Sequence, residues 1–327
     1  MATKTLSLRP RAAVALAAAL GAISCATSTP DATGGFGAAD RAGAPARGCP
    51  LTLPARLPDR NLVVPILMYH RINVVTPSTP AVSRGLTVNP AVFARQMNWL
   101  KQHGFHTVMQ GELFTAFMCG RRLAPKPIMI TFDDGYQDVF FKASPVLSRL
   151  GMRATAYVIS GRISAGDPSF LTWPLLHALE RRGIEIGSHT VAHRDLTTLS
   201  DRELLTDLVR SRRALERKLR HRVPWLAYPF GAYDERVARF ARRAGYLLAV
   251  TTRSGVLQPA RAPLELRRLR VLDSTGVRGL AAMLAPNPSE VADWAGAARR
   301  GVKVASKPAP PSPARIGGVP WPQLTTS

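Results

Sequence analysis

Short apolar runs alternate along this chain with amphipathic stretches. Val63 to Tyr69 reads as a strand, β-branched and with Pro65 near its start. Pro90 to His103 reads as a helix, with Asn89 as N-cap and Gly104 as its stop. Pro127 to Phe132 is a buried strand that ends in a carboxylate turn, and Ala154 to Ile159 is the next strand. Between them Val139 to Leu150 is interrupted by Pro145. Trp173 to Arg182 is a helix closed by Gly183, followed by a strand from Ile184 to Gly187. The longest helix is expected from Ser200 to His221. Ser200 and Glu203 make a capping box, and Leu204, Leu208, Leu215 and Leu219 share one face. Trp225 to Tyr228, Leu247 to Thr251 and Leu269 to Leu272 are further strands, with a helix from Asp234 to Ala244 between the first two.

Strand–helix alternation of this kind implies parallel strands joined by right-handed crossovers. About seven units over about 225 residues suit an α/β chain folded as a closed or nearly closed (β/α) barrel, with an open doubly wound sheet as the alternative. In either architecture the chemistry belongs at the C-terminal ends of the strands. No internal repeat and no Gly-rich phosphate loop is visible.

The ends of the chain read differently. Lys4, Arg9 and Arg11 precede an apolar run from Ala12 to Ile23, followed by small residues, which describes a signal peptide over 1–25. The run is shorter than the about 20 residues of a membrane span. Cys25 stands where a bacterial lipobox cysteine would, and ordinary cleavage after Ala26 is the rival reading. Residues 26–60 are a low-complexity tether and 287–327 a Pro-rich mobile tail, leaving 61–286 as the folded domain. In an oxidising compartment Cys49 and Cys119 are able to pair, if their separation in space allows.

The chain of 327 residues has 44 Lys+Arg against 21 Asp+Glu, a formal net charge of +23. Of this, +16 falls within 61–286, so the basicity is not an artefact of the tails. The charge invites a nucleic-acid reading, but no basic–aromatic stacking surface or known binding module accompanies it. An anionic membrane or cell-envelope surface is the partner that export favours.

Three segments at strand ends carry candidate chemistry. In Thr131-Phe132-Asp133-Asp134-Gly135 the consecutive carboxylates point different ways, so one can bind a metal while the other stays free as a base. Ser188-His189-Thr190-Val191-Ala192-His193 follows another strand. Histidines four apart lie on one face of a helical turn and can reach a single ion. Asp/His/His supplies three ligands and leaves positions for water or substrate, which suits a catalytic ion. Leu226 to Asp234, through Tyr228-Pro229-Phe230-Gly231, reads as a groove wall with a backbone N–H aimed at the site.

With these segments in order, residues from about 62 to 285 resemble the polysaccharide deacetylase family, the NodB-homology carbohydrate esterases (carbohydrate esterase family 4). Thr131–Gly135 matches the first motif, His189–His193 the second, and Ala227–Gly231 a variant of the third. Pro65-Ile66-Leu67-Met68-Tyr69-His70 and Ala227-Tyr228-Pro229-Phe230-Gly231 look most like the branch acting on poly-β-1,6-N-acetyl-D-glucosamine. The resemblance implies a distorted (β/α) barrel and a metal-dependent N-deacetylase. Asp134, His189 and His193 then hold a divalent ion, Zn²⁺ by ligand type with other transition metals compatible. Asp133 is the catalytic base, and Phe230, with Tyr228 and Pro229, faces substrate and oxyanion.

Two departures stand out. The family's third motif has Arg two residues before its Pro, where this chain has Ala227, and no His follows His221 to serve as the usual late acid. The resemblance points to His70 as acid and, among Arg267, Arg268 and Arg270, to Arg268 as the replacement for the Arg. The substrate class is an N-acetylated polysaccharide, with peptidoglycan and chitin-like oligomers as alternatives. The rival function is an envelope glycan-binding protein that has lost activity. Export makes the product an envelope lipoprotein or a secreted protein.

Overall fold

The computed structural model describes residues 48–285. The expected signal peptide, Cys25, the first part of the tether and the Pro-rich tail lie outside the described residues.

Eight strands form the main sheet: β1 (Ile66–Tyr69), β2 (His106–Thr107), β3 (Pro127–Phe132), β4 (Ala154–Val158), β5 (Ile184–Ser188), β6 (Trp225–Ala227), β7 (Leu248–Val250) and β8 (Leu269–Arg270). Seven of them run in the order β7-β6-β5-β4-β3-β1-β8, every neighbouring pair parallel, and β2 pairs with the start of β3. The sheet curls until a parallel bridge between Val250 and Leu266 links β7 to the approach of β8. This is the expected distorted (β/α) barrel, and the open doubly wound alternative falls.

The strands read as continuous apolar runs because both of their faces are buried. Outward residues such as Leu67, Ile130, Ala156 and Ile186 share a cluster with Phe93 and Met97 of α1 (Pro90–Gln102), Leu147 of α3 (Ser144–Arg149), Leu176 of α4 (Trp173–Arg181) and Leu215 of α5 (Asp201–Leu219). Inward residues such as Ile66, Met129, Tyr157 and Trp225 pack on Leu113, Phe114 and Phe117 of α2 (Gln110–Cys119). Truncating one such core Phe to Ala typically costs about 3–5 kcal/mol. The remaining labelled helices are α6 (Glu235–Arg243) and α7 (Gly276–Leu284). Among the described residues no helix is long and apolar enough to cross a membrane.

Several boundaries differ from the sequence expectation for identifiable reasons. The strand from Val63 is split at Pro65: Asn61–Val63 pairs antiparallel with Leu257–Pro259, and only Ile66–Tyr69 enters the barrel. Pro145 sits in the first turn of α3, where its missing N–H costs nothing, and a π-helical turn over Val139–Ala143 precedes it. The stretch from Cys49 to Arg60, read as tether, lies against the barrel instead. Cys49 and Cys119 form a disulfide, Leu53 packs on the core, and Arg60 donates to the Ala116 carbonyl.

Candidate active site

The C-terminal ends of β1, β3 and β5 and the turn after β6 converge on one small group of polar side chains. Asp133 follows β3 and is tied down by its own N–H donating to Tyr69 O (2.9 Å). Arg268, only 1% exposed, grips both carboxylate oxygens: Nη1 to Oδ1 and Nη2 to Oδ2, each 2.7 Å. Two further Arg268 N–H groups are used, Nε on Thr251 O (2.8 Å) and Nη1 on Thr131 Oγ1 (3.2 Å). Burial alone would raise the Asp133 pKa, but the Arg268 guanidinium overrides it and holds the carboxyl well below the usual range.

Asp134 turns away from Asp133 because its backbone enters the left-handed region (φ 72°), and Gly135 continues there at φ 84°. A Cβ on Gly135 would lie 2.9 Å from Val158 Cγ1, so the turn excludes larger residues. Asp134 Oδ1 then lies 3.4 Å from His189 Nε2 and 3.5 Å from His193 Nε2.

The two histidines do not share a helical turn, contrary to expectation. His189 directly follows β5, and the chain to His193 is an irregular loop with Thr190 at φ 68° and His193 at φ 54°. Val191 N–H donates to Asp207 Oδ1 of α5 (2.8 Å), and His193 N–H to Thr190 Oγ1 (3.0 Å). His189 Nδ1 donates to Ala227 O (2.8 Å), so in the neutral imidazole Nε2 is the unprotonated nitrogen, turned to Asp134. Burial works against the charged form of His189, yet Asp134 raises its pKa overall; burial and the neighbouring His189 push His193 down to about 4.

His70 lies at the end of β1, with Nε2 4.0 Å from Asp133 Oδ2. Burial lowers its pKa, against the pull of Asp133 and Asp134. Phe230 is 48% exposed and sets its ring 4.5 Å from that of His193, edge to face. Its backbone is left-handed (φ 59°), and its N–H takes no part in the turn's bonds, which run from Gly231 N–H to Tyr228 O and from Ala232 N–H to Pro229 O. A Cβ on Gly231 would lie 2.1 Å from Thr252 Oγ1.

Tyr228 is a correction. Its side chain is fully buried on the outer side of β6, stacked on Tyr233 at 5.2 Å, and cannot face substrate. Pro229 is buried too and shapes the turn rather than lining a groove. The sequence reading missed Thr131, the Ala227 carbonyl and Asp207, each of which positions a site residue. The common signal was available only for Thr131, two residues before Asp133 and so on the same strand face.

The Asp134, His189 and His193 donor atoms all lie within 4.8 Å of one another. Ligands about 2.0–2.1 Å from a tetrahedral Zn²⁺ are about 3.3–3.4 Å apart, so the two Asp134–His separations fit such an ion with little movement. An ion held there would leave its remaining coordination positions to water or substrate.

A profile of the polysaccharide deacetylase family matches residues 120–249. YxkH of Bacillus subtilis (strain 168), by name a polysaccharide deacetylase, is 31% identical over 218 residues, 67% of this chain and 74% of that protein. The poly-β-1,6-N-acetyl-D-glucosamine N-deacetylase of Staphylococcus aureus (strain MRSA252) is 20% identical over 229 residues, 63% of this chain and 78% of its own. Among solved structures, the Streptococcus pyogenes deacetylase PplD in complex with acetate aligns with a TM-score of 0.64 at 31% identity, over 68% of this chain and 98% of that one.

Proposed function

This chain belongs to the polysaccharide deacetylase family, hydrolases acting on N-acetyl groups, and we propose that it is a metal-dependent N-deacetylase of N-acetylglucosamine units in a cell-envelope or extracellular polysaccharide. Poly-β-1,6-N-acetylglucosamine is the favoured substrate, supported by the distant Staphylococcus aureus relative and by the Tyr69-His70 strand end. The observation that carries the reading is the Arg268–Asp133 pair, which supplies from β8 the guanidinium that Ala227 lacks.

Asp134, His189 and His193 would hold the ion, which when bound would acidify water and polarise the acetamide carbonyl. Asp133, kept ionised and fixed by Arg268, accepts the proton of the attacking water on a lone pair left over from its two Arg268 bonds. The Phe230 N–H, uncommitted within its turn, is the donor for the oxygen that gains charge. His70, beside Asp133, delivers a proton to the departing amine, because an unprotonated amine leaves poorly. Water is consumed, the C–N bond breaks, and acetate and a glucosamine unit result.

The inactive glycan-binding alternative drew on the missing Arg and the missing late His. Arg268 and His70 stand at positions where such groups would act, which favours the enzyme. Export, with Cys25 lipidated or the chain released, fits a substrate outside the cell. Acetate release from β-1,6-linked, chitin-like and peptidoglycan oligomers, each with and without chelator, tests the proposal. Release from the β-1,6 polymer that stops on chelation is expected; no release from any of them would leave the binding reading.

A further inference from the structure

A row of unpaired charge on the described surface lies outside the catalytic rim, along α5. This helix buries Leu204, Leu208, Leu215 and Leu219. Arg202, Thr206, Arg210, Arg213 and Arg217, spaced by four, four, three and four residues, fall on one other face and are all exposed. The row is about 22 Å long at 1.5 Å per residue.

Two concavities follow this row, of about 350 Å³ and 520 Å³. Val191 and Arg210 line both, so they form one trough. Val191 lies two residues from His189 and two from His193, so the trough runs along the back of the loop that carries both imidazoles. The acidic residues in its wall are already engaged. Glu203 caps α5 through Ser200 and meets Arg194 at 3.4 Å, and Asp207 holds the Val191 N–H. Among the described residues, Arg210, Arg213 and Arg217 form no salt bridge. Like charges at these spacings repel one another, so the row gains nothing for the helix by itself.

We infer that this trough is a docking strip for an anionic polysaccharide strand, with Arg210, Arg213 and Arg217 as its anchors. Guanidinium groups offer paired N–H donors that match carboxylate or phosphate oxygens. In the opposite wall the Ser164 hydroxyl donates to Ser160 O, which leaves its oxygen lone pairs to accept from a sugar hydroxyl. A concave strip suits a linear polymer better than a flat bilayer. The exposed large apolar residues of the described chain are Leu51, Val74, Val82, Phe141, Phe230 and Leu272, none of them on α5, whereas a membrane-surface helix carries apolar anchors. The trough lining holds no aromatic side chain on which nucleic-acid bases would stack. The poly-β-1,6-N-acetylglucosamine favoured above carries no negative charge, so the docked anionic strand is a separate polymer, and its binding does not rest on the deacetylase reading.

The test uses the full chain and polygalacturonate, a linear polymer with a carboxylate on each sugar. Wild type is compared with an Arg210→Gln/Arg213→Gln/Arg217→Gln variant and with a charge-matched Arg121→Gln/Arg122→Gln/Arg149→Gln variant, all checked for equal melting temperature. Binding is expected to weaken with added salt, and the α5 variant to lose at least about tenfold in affinity where the control loses less than about twofold. Equal loss in both variants would reduce the effect to net charge and overturn the strip. Absence of binding by wild type at low salt, or binding only to phosphatidylglycerol vesicles or DNA, would overturn it as well. Acetate release by wild type from neutral β-1,6-linked, chitin-like and peptidoglycan oligomers is scored separately: failure on all of them removes the deacetylase reading without touching the binding result.

Discussion

Arg268 and Asp133, 135 positions apart in sequence, are joined by two parallel hydrogen bonds of 2.7 Å in the buried centre of the barrel mouth. Among the described residues each is the other's only ion-pair partner of full charge, and each would be costly to bury alone. The pair therefore fixes the orientation of the carboxylate next to the Asp/His/His cluster.

Removing the guanidinium should unsettle both fold and site. Arg268→Ala is expected to cost about 3–5 kcal/mol, because Asp133 stays buried without its partner. Arg268→Lys keeps a charge but not the fork, and should lower kcat about 10–100-fold with the metal retained. Thermal melts, metal content and kcat on one acetamide substrate check both; wild-type kcat in the Lys variant would refute the positioning role.

The two adjacent carboxylates should separate by function. Asp133→Asn is expected to keep the metal and lose most turnover, whereas Asp134→Asn loses both. Metal analysis of the two folded variants decides, and equal metal loss would contradict this division.

His70→Ala should retain the metal while turnover on acetamides falls by about 10²–10⁴. An activated acetate ester, whose leaving group needs no proton, should suffer far less. Equal losses on both substrates would remove His70 from the acid role.

A separate pH effect comes from Glu185, deep inside the barrel. Burial raises its pKa from 4.5 to about 8, even though Gln110 N–H, Thr155 and Trp225 donate to it. Between those two values the folded chain holds a proton that the unfolded chain has released. Stability should then fall as pH rises through that window, by about 1.4 kcal/mol per unit, and level off above it. Glu185→Gln keeps one carbonyl oxygen as acceptor and should flatten that slope and melt higher than wild type above pH 8. An unchanged slope would mean that Glu185 is ionised in the fold.

The barrel was legible because parallel strands buried on both faces appear as unbroken apolar runs, and the capping box of α5 is written out in Ser200 and Glu203. Helix α2 was not, because Gln110 to Phe117 are all buried except Glu112 and leave no polar face to set a period. His189 and His193 were rightly brought together but by the wrong route, since spacing cannot reveal left-handed residues at Thr190 and His193. Tyr228 was misread against its own strand parity: Trp225 and Ala227 face the barrel interior, so Leu226 and Tyr228 face the outer layer. Arg268 carries no local signal at all; only the family resemblance drew attention to it.

The central claim is that one ion held by Asp134, His189 and His193 supports acetamide hydrolysis, and metal reconstitution tests it most directly. Protein stripped with chelator is titrated with Zn²⁺ while acetate release from a β-1,6-linked N-acetylglucosamine oligomer is followed. Activity should be lost on stripping, return in full at one ion per chain, and fail to return in His189→Ala or His193→Ala. Full activity in the stripped protein, or wild-type metal binding and turnover in both histidine variants, would contradict the account.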